Sequence, residues 1–351
     1  MEQFQFNPIF ILMKDLLLLL CHYPYNPADR ERLRNLLSTV DDWDKTVNLI
    51  NEHGIIALAD FNIREACLTE MVPEHAMAIL EDGRMQSVAR NAWLAERWKE
   101  VNKILSEAEI KHLLLKGMAL EYTAYGGQGL RQMTDNDILI KREDALKAWY
   151  LLQEYGFIPE MVKSPLHNKI IMCLGKHLPS LNKDGYMVEI HHRLFNDPGK
   201  NEILNDAINN AKEINISGTK AFILQDDIHL LFLREHFNRH ILTGESQLRL
   251  YADMEILSKG NAPGLPDIFI FNPKQFTAIK YRRNAYLLNY NSIPHKHRLR
   301  YLAGDIFPSL KWMKNRYNCG TFSALLLYPG RIFKLFWLTG KVHRVVEALK
   351  G

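Results

Sequence analysis

Apolar residues recur at helical spacing in the first third of the chain. Residues 1–80 read as short helices: Asp41-Asp42 can cap a segment through Trp43, Val47 and Ile50, and Gly54 marks its stop. Met85, Val88, Ala92, Ala95, Trp98, Val101 and Leu105 then repeat at steps of three and four, which predicts one buried helical face. After them the period changes. His112-Leu113-Leu114-Leu115 is a short apolar run ending in Lys116-Gly117, as a buried strand and turn would be. A helix is predicted over Met118–Tyr125, stopped by Gly126, Gly127 and Gly129, and a second strand over Asp137–Ile140. Glu143-Asp144 open a helix through Ala145, Trp149 and Leu152 that closes at Gly156. Lys183-Asp184-Gly185 is a hairpin signal joining the segment around His177–Leu181 to a strand over Tyr186–Arg193.

From about residue 200 the pattern reads as helical again. Asp226-Asp227 cap a segment with Leu230, Leu231 and Leu233, and a further helix carries Leu248, Leu250, Tyr251, Met254 and Leu257. Pro263, Pro266 and Pro273 make residues 260–275 a loop. The order predicts an α+β chain in three parts: a helical N-terminal region (1–84), a mixed-sheet core flanked by helices (85–200), and a helical C-terminal domain (201–351).

Composition narrows the class. With 351 residues, 47% of them hydrophobic and 24% charged, the chain is globular and neither disordered nor a coiled-coil rod. Its net charge of +4 is too small to imply nucleic-acid binding by the whole chain. The charge is unevenly spread, however. Residues 311–351 hold eight Lys or Arg against the single acid Glu347, leaving the first 310 residues at −3. Four cysteines without a C-x-x-C pair fit free thiols in a reducing compartment. The start lacks a basic n-region, and no run of about 18 apolar residues occurs, so a cytoplasmic location without a transmembrane segment is expected.

The sharpest chemical feature is Asp135-Asn136-Asp137 running into Ile138-Leu139-Ile140. Residues two apart on an extended backbone share a face, so Asp135 and Asp137 would present two hard oxygen ligands suited to Mg²⁺. Asp-Asn-Asp also reads as a turn or helix cap. Their mutual repulsion predicts that Asp137→Asn leaves stability unchanged or higher without metal. Upstream, Lys116-Gly117 ends a strand and begins a helix, where a glycine admits a phosphate and helix N–H groups meet it. Downstream, alternation places Met187, Glu189, His191 and Arg193 on one strand face, with His192 on the other. Glu189 is a costly residue in such a strand unless paired or metal-bound.

Taken with Tyr125, Arg131, His236, His240, Arg249, Asp253, Phe307-Pro308-Ser309 and Arg316-Tyr317, these residues resemble the bacterial family of uncharacterised nucleotidyltransferases. That family belongs to the DNA polymerase β-like nucleotidyltransferase superfamily. The resemblance covers roughly residues 85–345. It implies two Mg²⁺ (or Mn²⁺) ions and transfer of a nucleotidyl group from an NTP, ATP among them, to an acceptor hydroxyl on a small molecule or polymer. Asp135 and Asp137 would hold the metals, and Glu189 would ligate one and help to deprotonate the acceptor. Gly117 would sit beside the triphosphate, Lys116 or Arg131 would neutralise its charge, and His191 would reach the acids. The turn departs from the superfamily's usual Gly-Ser, because Met118 follows Gly117.

Two other functional readings stand beside this one: a catalytically silent nucleotide- or partner-binding module, and a toxin-like enzyme that nucleotidylates RNA or protein. His236 and His240 read as a packed or hydrogen-bonded pair rather than a metal pair, and Arg249 with Asp253 as an i,i+4 ion pair. The basic tail 311–351 reads as a solvated helix, as a membrane-surface segment, or as a contact for an anionic polymer.

Overall fold

The computed structural model describes residues 8–197, 199–245, 247–262 and 278–330. Five helices come first: α1 (Pro8–Leu20), α2 (Arg30–Leu37), α3 (Trp43–Glu52), α4 (Ile56–Glu65) and α5 (Glu74–Glu107). Asp42 caps α3, its side chain accepting from the Lys45 amide at 3.0 Å. A seven-stranded mixed sheet follows. Its strands are β1 (His112–Leu114), β2 (Asn136–Ile140), β3 (Ile158–Pro159), β4 (Leu181–Lys183), β5 (Tyr186–His191), β6 (Lys212–Ile216) and β7 (Thr219–Ile223), in the order β3-β4-β5-β2-β1-β7-β6. Between them lie α6 (Lys116–Thr123), α7 (Arg142–Glu154), α8 (Pro165–Leu174) and α9 (Leu204–Asn209). The chain goes on through α10 (Asp226–Thr243), α11 (Leu248–Leu257), α12 (Ile279–Asn291), α13 (His295–Ile306), α14 (Leu310–Tyr317) and α15 (321–330). The α+β class is as the sequence pattern requires.

Strand alternation sorts the two faces of the sheet. Leu114, Ile138, Ile140, Val188 and Ile190 point into a core built with Leu94, Trp98, Val101 and Leu105 of α5 and Ala148 and Leu152 of α7. Leu113, Leu115 and Leu139 point the other way, against Leu194, Phe195, Ile208, Leu224 and Phe232 of α10. A third core joins Leu16, Leu20, Leu33, Ile50 and Leu80 of the N-terminal helices to Leu233, Phe237, Leu248 and Met254 of α10 and α11. The N-terminal helices thus share a core with the later ones.

Three features differ from the sequence reading. The region after residue 200 is not wholly helical: β6 and β7 form a hairpin through Ser217 (φ 48°) and Gly218 (φ 84°), and β7 runs parallel to β1. The alternation of Ile214, Ile216, Ala221 and Ile223 about a Ser-Gly turn carries that hairpin. α5 runs unbroken from Glu74 across residue 84. In its middle turns Met85, Val88 and Ala92 are exposed, whereas the polar Ser87 and Asn91 are buried. Ser87 Oγ donates to the Gly129 carbonyl (2.6 Å) and Asn91 Nδ2 to that of Arg131 (2.9 Å), so this face of α5 grips a loop rather than an apolar core. The proline-rich stretch expected as a loop lies mostly outside the described residues.

The 126–135 loop is tied down on several sides. The buried Glu121 carboxylate accepts the amides of Gly129 and Arg131. Gly129 (φ 73°) has no room for a side chain, since a Cβ would lie 2.5 Å from Val88 of α5. Arg131 meets Asp253 of α11 in a buried pair, its Nη2 2.7 Å from Oδ2 and its Nε 3.1 Å from Oδ1, while Tyr125 donates its hydroxyl to the same carboxylate at 3.0 Å. Asp253→Ala would leave a buried guanidinium without its anion, so unfolding in urea is expected to show a loss of about 3–5 kcal/mol. A loss below about 1 kcal/mol would mean the pair does not tie α11 to the loop.

Candidate active site

The site grows from the end of β1. The amide of Leu115 still donates to the Asp137 carbonyl at 2.9 Å, after which Lys116 takes a left-handed φ of 46° as the first residue of α6. That conformation costs a lysine on the order of 1 kcal/mol. With the chain turned this way, Nζ lies 2.7 Å from Asp137 Oδ1 on the neighbouring strand, and 6.0 Å from the centre of the Phe232 ring. A Cβ on Gly117 would lie 2.7 Å from Arg131 Nη1 and 2.8 Å from Met133 Sδ. The missing side chain is therefore needed for the loop packed beside the helix start.

β2 and β5 pair in parallel with Asp137 opposite Glu189 and Leu139 opposite His191. This register puts three polar side chains on the face that α10 covers. Ligand atoms of Asp137, Glu189 and His191 all lie within 4.8 Å of one another. His191 Nε2 is 2.8 Å from Asp137 Oδ1 and 3.6 Å from Glu189 Oε2. Burial alone would raise the Asp137 carboxyl. The Lys116 charge and the His191 hydrogen bond outweigh it, holding Asp137 well below the ordinary carboxylate range. Glu189 is likewise lowered, burial being overcome by the His191 hydrogen bond and the nearby His177.

Asp135 lies outside this close group but feels it. Burial, then the Asp137 charge, raise its carboxyl above the usual value, and Lys116 only partly offsets them. Asp135 and Asp137 are two residues apart, and their surroundings push them in opposite directions. Three carboxylates with one lysine and one histidine among them leave negative charge that a divalent cation would neutralise. Hard oxygen donors plus an imidazole form an acceptable ligand set for Mg²⁺ or Mn²⁺.

One lysine and several imidazoles lie near the acids. His177 forms a bridge with His191, their rings 5.3 Å apart, and this places Lys176 at the edge of the site. Burial, then the positive charges of Arg239 and Lys116, push the Lys176 ammonium down to about 8. From α10, the His236 ring stacks on Phe232 at 6.2 Å and packs edge-on against His240 at 4.4 Å. His240 Nδ1 is 3.0 Å from Glu245, so this pair is packed and hydrogen-bonded, as its spacing suggested.

Arg131 is placed differently from the phosphate-binding expectation. Its ion-pairing capacity is taken by Asp253, and Nη1 donates to the Gln132 carbonyl. Arg249 and Asp253 do not pair with each other: Arg249 donates to the Gln132 carbonyl (2.7 Å) and to Gln247 (2.9 Å). Lys176 and His177 are the site-lining residues that the sequence pattern did not single out.

The sequence model of a family described as uncharacterised nucleotidyltransferase matches residues 39–268, well over half of the chain. No curated protein matches it.

The geometry reverses the expected effect of Asp137→Asn on stability. The carboxylate is paired rather than repelled, so its loss leaves the Lys116 ammonium without its anion, and a destabilisation of about 2–3 kcal/mol in urea is expected. A depressed carboxyl stabilises the fold fully above the ordinary carboxylate range and loses that contribution as pH falls below it. The difference between wild type and Asp137→Asn should therefore shrink on acidification from pH 7 to about 3. Adding Lys116→Met should cost less in the Asp137→Asn background than in the wild type, and strict additivity would deny the coupling.

Proposed function

Because the chain belongs to the uncharacterised nucleotidyltransferase family, we propose that it moves a nucleotidyl group from an NTP to an acceptor hydroxyl with the help of Mg²⁺. The observation that carries this reading is the convergence of Asp137, Glu189 and His191 on adjacent parallel strands, with Lys116 on the same carboxylate oxygen. Asp137 and Glu189 would hold the divalent cation, with Asp135 adding negative charge from the mouth. When bound, that ion supplies charge neutralisation for the phosphoryl group and its leaving pyrophosphate.

The protein's own groups account for the rest. Lys176 at the rim, with Arg239 nearby, gives the triphosphate a positive surround. Lys116 can exchange Asp137 for a phosphate oxygen, since both are anionic acceptors within the reach of a flexible side chain. Asp135 has a raised proton affinity, which suits it to take the proton of the acceptor hydroxyl. Glu189, held ionised by its histidine neighbours, is less suited to that step. Phe232 and His236 on α10 close the apolar side and limit water.

One observation favours a second reading. Asp137 is already satisfied by Lys116 and His191, as a module that binds nucleotide without turning it over would permit. Release of pyrophosphate from the four NTPs, each with Mg²⁺ or Mn²⁺, separates the two. The proposed enzyme should lose turnover with EDTA and by at least ~10²-fold in Asp137→Asn. Stabilisation by a Mg²⁺–NTP pair without turnover would select the silent module. Absence of both responses would remove the nucleotide reading.

The rim makes a pH prediction. With its ammonium near 8, Lys176 is charged at pH 7 and neutral by about pH 9.5, so NTP affinity should fall over that interval. The fall should flatten in Lys176→Met, whose affinity at pH 7 should already be low. A wild-type affinity that is flat from pH 7 to 9.5 would exclude Lys176 from the phosphate surround.

A further inference from the structure

The C-terminal part of the fold carries a surface that nucleotidyl transfer does not use. α15 shows Phe322, Leu325 and Leu326 at 75%, 53% and 65% exposure, along one stripe with spacings of three and four. The helix is anchored from another side. Tyr328 donates its hydroxyl to the Pro308 carbonyl at 2.6 Å, next to Phe307, itself 59% exposed. Ala324 is buried, so this helix has an inner face against the protein and an outer apolar one.

Charge is concentrated in the same part of the chain. Residues 279–330 contain nine Lys or Arg and one acid, Asp305, which is buried and already paired with Lys163. Lys280, Arg282, Lys296, Lys311, Lys314 and Arg316 are exposed. Residues 279–351 hold fourteen basic residues against Asp305 and Glu347, leaving residues 1–278 at −8 in a chain of net +4. In sequence, the apolar spacing of α15 continues through Phe333, Phe336 and Trp337 with Arg331 and Lys334 between them.

We infer that α14 and α15 form a docking surface for an anionic lipid bilayer, with Phe322, Leu325 and Leu326 entering the headgroup boundary and Lys311, Lys314 and Arg316 facing its negative charge. An apolar stripe beside exposed basic residues matches the two attractions that hold a helix in the plane of such an interface. A nucleic acid would use the charge but leave the Phe-Leu stripe in water. Among the described residues no helix is long and apolar enough to cross a membrane. Pro329-Gly330, Arg331 and Lys334 interrupt the apolar run that follows.

The test is flotation of the full chain with vesicles of phosphatidylcholine alone or with about one-third phosphatidylglycerol. The expected result is binding to the mixed vesicles only, weakening with salt as Debye screening requires. Leu325→Glu/Leu326→Glu should reduce partitioning at least tenfold at unchanged melting temperature, and Lys311→Ser/Lys314→Ser/Arg316→Ser should reduce it and flatten the salt dependence. Failure of the full chain to bind mixed vesicles would overturn the inference, as would binding untouched by the leucine substitutions. A dimer dispersed by those substitutions would assign the face to a second copy. Binding to single-stranded RNA that survives them, with no vesicle binding, would assign the charge to nucleic acid. None of these outcomes depends on nucleotide turnover.

Discussion

The ion pair between Lys116 and Asp137 is the interaction around which the middle of the molecule is arranged. Asp137 sits buried in a central strand, on the sheet face whose Leu139 packs with Phe232, where an unpaired carboxylate would be costly or would have to protonate. Its partner comes from the next strand's turn, and only because Lys116 adopts a left-handed backbone that brings Nζ across. That conformation in turn fixes where α6 starts, and the packing of Arg131 and Met133 against the helix start requires glycine at 117. Stabilisation of the carboxylate and strain in the turn are thus opposite sides of one local arrangement.

A second buried ion pair makes that arrangement rigid. Arg131 and Asp253 connect the loop before β2 to α11, and Glu121, Ser87 and Asn91 satisfy the loop's backbone groups. The loop leads directly into Asp135 and β2, so residues far from the carboxylates set their position. Burial also explains why Arg131 is unsuited to greeting a phosphate. Moving its guanidinium would strand Asp253, which has no exposed surface and whose other ligand is a neutral tyrosine hydroxyl.

What was readable from the sequence follows from the range of the forces involved. Alternation in Tyr186–His191 and the apolar run after Asp137 are local, so β2, β5 and the shared face of Glu189 and His191 were legible, as was the α+β class. The Asp184-Gly185 turn was legible for the same reason: both residues have positive φ, as a two-residue hairpin demands. The Ser217-Gly218 hairpin carried an equal signal that the surrounding helical pattern obscured. Pairings over long separations were not legible. Nothing in the spacing tells that Arg131 seeks Asp253 rather than a ligand, or that Asn91 is buried while Ala92 is exposed. Lys176 is held beside the site by the bridge between His177 and His191 and by its carbonyl, which accepts the His192 and Arg193 amides, and no periodicity announces either.

On the proposed function, the central ion pair also sets how metal and nucleotide must be related. Lys116 and a divalent cation would compete for the same Asp137 oxygen, which His191 already shares. A cation alone would have to displace the ammonium into a region where Arg239 and Lys176 already make positive charge unfavourable, as the lowered Lys176 indicates. A triphosphate would change that balance, because it would give Lys116 a new anionic partner and leave Asp137 to the metal. Linkage makes the effect reciprocal: whatever factor the nucleotide contributes to metal affinity, the metal contributes to nucleotide affinity. Under that reading the lysine would act as a placeholder charge that keeps the carboxylate ionised and oriented until both ligands arrive.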